Sequence, residues 1–77
     1  MNATVTRLTV TAPLRAFRTQ ANFDSVARMS REAGVDMELI VKKGLIGRSQ
    51  AVEFSATSDN SAGWAIVTNI GEQLGVL

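Results

Sequence analysis

The 77-residue chain has no histidine, no cysteine and no tyrosine, and it has one proline and one tryptophan. Without cysteine, neither a disulfide nor a thiolate metal site can brace the fold, so stability must come from apolar packing. Without histidine, general acid–base work near neutrality would fall to carboxylates or lysines. Serine and threonine nucleophiles would lack an imidazole to activate them. The apolar runs are only a few residues long, too short for a membrane-spanning helix. The opening MNATVTRLTV lacks the charged-then-apolar order of a secretory signal, and the absence of cysteine fits a cytoplasmic setting. Together these features predict a non-enzyme with no cofactor and no metal.

The composition is that of a folded chain. Hydrophobic residues make up 45%, ordinary for a globular domain and too many for a disordered segment. A chain this short forms one domain, residues 1–77, and buries only about 60% of its unfolded surface. Net charge is +1, but it is unevenly spread. All eight basic residues precede residue 49, and residues 49–77 hold only the acids Glu53, Asp59 and Glu72.

Periodicity divides the chain into five elements. Leu8, Val10 and Ala12 alternate with Arg7, Thr9 and Thr11, a half-buried strand that Pro13 ends. The parity slip at Val5 predicts a bulge or late start over Thr4–Thr6. Residues 13–21 read as a connection. A helix follows, with Asn22 as N-cap, Asp24 in its first turn, and Phe23, Val26, Ala27, Ser30 and Ala33 on one face. Gly34 suits its left-handed end. Val35, Met37, Leu39 and Val41 then alternate with Asp36, Glu38 and Ile40. Lys42, Lys43 and Gly44 open a turn that closes at Gly47–Arg48, and Gln50–Ala56 returns with Val52, Phe54 and Ala56 inward, giving a β-hairpin. Potential caps over residues 57–61 lead into a second helix with Ile66, Ile70, Leu74 and Leu77 as its stripe, and Ala62 and Val67 beside them.

The order β-α-β-β-α predicts an α+β two-layer sandwich with both helices on one face of a three-stranded mixed sheet. With the first strand beside the second in parallel, this is a split-βαβ unit, or half of a ferredoxin-like fold.

Chemistry-bearing motifs are sparse. Asp36 and Glu38 form the one closely spaced carboxylate pair. Two apart on a strand, they share the solvent face, opposite Arg7 or near Lys42. The segment KKGLIGRS (42–49) lacks the spacing of a phosphate-binding loop and joins two strands rather than a strand and a helix.

Two surfaces are candidates for contact. At the hairpin tip, Lys42, Lys43 and Arg48 bracket Leu45 and Ile46. Such an apolar wedge among cations suits a protein partner, a phosphate backbone or an anionic surface, unless the aliphatics fold back over the sheet edge. Arg15 and Arg18, ahead of the first helix, add an anion-binding element. On the last helix, Trp64, Thr68, Gly71 and Gly75 fall near one face. Glycines there permit close approach, and tryptophan is enriched at contact hot spots. The contrary expectation is that Trp64 packs over the sheet and the chain end frays after Gly71.

The segments LTVTAP (8–13), FRTQ (17–20) and MELIVKKG (37–44) resemble the first half of HPr-type phosphocarrier domains, over about half the chain. The resemblance implies a strand, a short loop with a phosphorylatable histidine at the helix start, then a helix and a strand. Arg18 stands where that histidine is expected. The resemblance therefore implies a docking or regulatory role without phosphotransfer.

These observations point first to a non-catalytic protein-interaction module, a small regulator or inhibitor, or a subunit of a larger assembly, with self-association included. The alternative is a nucleic-acid-binding domain using Arg15, Arg18, Lys42, Lys43 and Arg48. The pI of 8.3 is light for that role.

Overall fold

The computed structural model describes residues 5–77. The alternation after Val5 becomes β1 (Arg7–Pro13), with Val10 and Ala12 buried and Arg7 and Thr9 exposed. The strand starts late, at Arg7, and the part of the expected bulge at Thr4 lies outside the described residues. Thr6 instead meets the far end of the sheet: its N–H donates to Ser58 Oγ at 3.0 Å, and its carbonyl accepts from the Ser58 N–H at 2.7 Å.

The expected connection over residues 13–21 contains structure of its own. A short 3-10 helix, Leu14–Phe17, drives Phe17 into the core, and α1 (Gln20–Glu32) begins earlier than the sequence suggested. Thr19, not Asn22, is the N-cap, and its side chain accepts the Asn22 N–H at 3.2 Å. Asn22 turns its side chain back and donates to the Phe17 carbonyl at 2.9 Å. The helix ends at Gly34 with φ +70°, the left-handed conformation expected there.

Two long strands follow, β2 (Asp36–Gly44) and β3 (Gly47–Thr57), then α2 (Ser61–Gln73). The strand order is β1-β3-β2 with both pairings antiparallel. This corrects the expected mixed sheet with β1 beside β2: those strands run in the same direction but are separated by β3. The physical reason is burial. β3 carries the largest buried apolar set of the three strands, Val52, Phe54 and Ala56 under the helices with Ala51 on the opposite face. The central place lets both flanking strands shield it, while Glu53 and Ser55 remain on the helix-free face.

Val52, Phe54 and Ala56 join Val10, Ala12, Phe17, Val26, Val67 and Ile70 in one core under both helices. Phe17 meets Phe23 edge-on at 5.2 Å and Phe54 at 6.2 Å. Ser30 is also buried here, and its hydroxyl has no partner among the described residues. On the helix-free face, Arg7 on one edge strand reaches over β3 to Asp36 on the other and donates to Ser55 Oγ at 2.7 Å on the way.

Asn60 fastens the two helices. Its Oδ1 accepts the Gly63 N–H at 2.9 Å, capping α2, while its Nδ2 donates to the Ala33 carbonyl at 2.8 Å at the end of α1. Gly63 is needed beside it, since a Cβ there would lie 2.5 Å from Asn60 Nδ2.

Replacing Asn60 removes a cap and an inter-helix bond together. Asn60→Ala is expected to cost about 2 kcal/mol, and Asn60→Asp, which keeps the cap alone, about half of that. Urea denaturation of the three proteins checks the order.

Candidate functional site

The hairpin is longer and its turn tighter than the sequence indicated. Pairing continues through Lys42 with Ser49 and Lys43 with Arg48 to Gly44 with Gly47, leaving only Leu45 and Ile46 as the turn. Both keep negative φ, and Gly47, at φ +129°, takes the conformation that a side chain would resist. Leu45 and Ile46 do not fold back over the sheet edge. Both are fully exposed.

The helices cover only the base of this hairpin. A helix of 13 residues reaches about 20 Å, while 11 residues of strand extend about 36 Å. The surplus projects as an arm. The radius of gyration is 13.4 Å, against about 11.5 Å for a compact domain of this size. Leu39 and Val41 point to the helix side but lie past the helices, and each is 57% exposed. They were expected inward. Their side of the strand is right, but nothing in the domain reaches far enough to cover them.

A trough runs along that inner side. One section, of about 310 Å³, is floored by Leu14, Phe17, Phe23 and Leu39 and rimmed by Arg15 and Arg18. The next, of about 510 Å³, shares Leu14 and Arg15 and continues past Val41 to Arg48. Neither section is lined by a carboxylate. Arg18 sits at φ +63°, unusual for a residue with a Cβ. The Phe17 carbonyl accepts from both the Thr19 N–H, at 2.6 Å, and Asn22 Nδ2. With Phe17 buried and Thr19 committed to capping, Arg18 must reverse the chain in one residue.

Arg15 lines both sections, with Arg18 in the first and Arg48 in the second, while Leu45 and Ile46 stand beyond Arg48 at the tip of the arm and line neither. Lys43 and Arg48 sit directly opposite one another on the trough side, while Lys42 lies on the other face with Glu38. Two like-charged pairs face each other across strands, Lys43 with Arg48 and Glu38 with Glu53, an arrangement that weakens a sheet. Among the described residues Arg7–Asp36 is the one ion pair, and no three metal-ligating side chains come together.

The α2 surface is organised differently. Trp64 is half-buried against the core, and its Nε1 donates to the Ala56 carbonyl at 3.1 Å. Thr68 is half-buried. Gly71 is buried under Leu77: a Cβ would fall 2.5 Å from Leu77 Cδ1, and the Gly71 carbonyl accepts from the N–H groups of Val76 and Leu77. The end of the chain therefore folds back rather than fraying after Gly71. Gly75, at φ +73°, makes that reversal. Of the expected inward stripe, Val67 and Ile70 are buried and Ile66 and Leu74 pack half-buried against the core, but Ala62 and Leu77 are exposed and Gly63 and Gly71 are buried beside it. The close approach that Gly63 and Gly71 allow is taken up by the chain's own Asn60 and Leu77, while Gly75 is open.

Comparison with protein-family models, with curated proteins and with solved structures finds no match to this chain.

Because Trp64 is bonded to the sheet, its truncation acts on the monomer. Trp64→Ala is expected to cost about 2 kcal/mol, somewhat less than for a fully buried tryptophan. Denaturant titration at low protein concentration reads this directly.

Proposed function

We propose that the chain is a non-catalytic protein-interaction module, a small regulator or a subunit of a larger assembly, whose contact surface is the β2–β3 arm. The observation that carries this is the exposure of four large aliphatics, Leu39, Val41, Leu45 and Ile46, on an element that the domain's own helices cannot cover. A surface of this kind loses free energy when left in water and gains it in contact. The trough beside it, apolar in floor and basic at its rim, favours a partner that offers apolar side chains with carboxylates next to them. The lack of histidine and cysteine supports a role without chemistry, and the lack of cysteine supports a cytoplasmic setting. The β1–α1–β2 crossover, leaving a slot that β3 fills, supports the split-βαβ description of the scaffold.

A second reading has its own support. Arg15, Arg18 and Arg48 line a trough free of carboxylates, and Lys42 and Lys43 lie on the same arm. A nucleic-acid backbone would be held by these charges, with Leu45 and Ile46 as an apolar wedge. That reading requires affinity to fall by orders of magnitude between low and moderate salt.

The test compares affinity capture by the wild-type chain and by the Leu45→Ser/Ile46→Ser variant, with and without nuclease. The wild type is expected to retain a discrete protein partner after nuclease. The variant is expected to lose at least about tenfold of it while unfolding within about 0.5 kcal/mol of the wild type, because both side chains are already in water. Capture that collapses with nuclease transfers the function to the cations.

A further inference from the structure

We infer that the free edge of β2 pairs antiparallel with the same edge of a second copy of this chain, joining two three-stranded sheets into one of six strands. The inference rests on the reading of the arm as the contact surface and names what covers it.

Among the described residues, no strand pairs with β2 on the side away from β3. Along the nine residues Asp36–Gly44, alternate residues (Met37, Leu39, Val41 and Lys43) therefore turn unpaired N–H and C=O groups outward, on a strand with no proline and with exposed apolar side chains. Such an edge is a template for another strand. The other edge, β1, is shorter and ends in Pro13, which has no N–H to offer.

The sequence of β2 is complementary to itself. Antiparallel pairing must keep each side chain on its own face of the sheet, so only registers that match faces are open. A two-fold axis at Ile40 sets Leu39 against Val41 of the other copy on the trough side, twice. On the opposite face it sets Glu38 against Lys42 of the other copy, also twice. Within one chain Glu38 faces only Glu53, and Lys42 faces Ser49. The second copy supplies each with the opposite charge that it lacks. Centring on Leu39 instead puts Lys42 against Asp36, which Arg7 already holds, and leaves Glu38 opposite Ile40. Centring on Val41 places Lys42 opposite Ile40 and Glu38 opposite Gly44. The Leu39 register also pairs aliphatics, Leu39 with itself and Met37 with Val41, but leaves Glu38 without a counter-charge. Of the three, the Ile40 register alone gives both Glu38 and Lys42 an opposite charge while keeping Leu39 against Val41, and it sets Met37 opposite Lys43. The lysines that would repel an arbitrary strand become the device that selects this one.

The same register gives the turn somewhere to go. With Asp36 opposite Gly44, the tip of each arm reaches the start of β2 in the other copy. A recess of about 470 Å³ lies there, under α1, with Ala27, Val35 and Met37 among its walls. Leu45, which the register sets against Val35, would reach that recess, whose rim also carries Asp24 and Arg31.

The experiment is sedimentation equilibrium over a wide concentration range on four samples: wild type, Lys42→Glu, Glu38→Lys, and an equimolar mixture of the two variants. The wild type is expected to dimerise. Each single variant sets like charges opposite one another at both symmetry-related positions and is expected to dimerise about tenfold or more weakly. The mixture is expected to recover wild-type association, because each interface then holds two opposite-charge pairs; recovery also shows that both variants are folded. A wild type that stays monomeric throughout, or a dimer that neither reversal weakens, overturns the inference. In either case a protein partner still lost on changing Leu45 and Ile46 would leave the arm as the contact surface and reject only the second copy as its occupant.

Discussion

Helix and strand of equal residue count differ in length more than twofold, because a helix rises about 1.5 Å per residue and a strand about 3.3 Å. Most of this molecule's surface follows from that mismatch. The β2–β3 hairpin has more length than two 13-residue helices can roof, so its inner face is core at one end and open at the other. Phe54 and Leu39 lie on the same side of the sheet, yet one is buried and the other largely in water. The arm, the trough and the exposed turn all come from leaving that surplus strand uncovered.

The roofed part has to be well fastened, because a domain this small gains little from burial alone. Two polar devices do so. Asn60 holds the end of α1 to the start of α2 with one side chain, and Arg7 reaches Asp36 across the central strand. Arg7–Asp36 is exposed, so as a single ion pair its contribution is modest. Its geometric effect is larger, since it links two edge strands that never touch. Each device ties elements that are remote in sequence, where loop closure is the main entropic cost.

The elements were legible because their periodicities are clean. Strand alternation at Leu8, Val10 and Ala12 and at Val52, Phe54 and Ala56 appears on the faces expected, and Gly34 ends α1 as its position suggested. The strand order was not legible from pattern alone. Neighbouring elements pair by default in a pattern reading, whereas β3, with more buried residues than either other strand, takes the centre. Capping was misplaced by three residues because Thr19 and Asn22 are both competent caps, and the burial of Phe17 decided between them. At the candidate site, Leu45 and Ile46 stood out in the sequence as aliphatics at a turn. Leu39 and Val41 were hidden among core residues by their correct parity, and comparing element lengths was the signal that could have separated them. The sequence offers Gly71 as a notch for close approach, and the chain's own Leu77 fills it.

The position of β3 bears on how the chain acquires its sheet. Every ladder contact includes β3, and the β1 pairings join residues as far apart as Arg7 and Thr57. During synthesis from the N-terminus, β1 and α1 emerge with no strand available to receive them. No sheet can form until the central strand is made. β2 and β3 meet across a two-residue turn, whereas closing β1 onto β3 joins residues from Pro13 and Ala51 at the nearest to Arg7 and Thr57 at the farthest, the costlier loops to close.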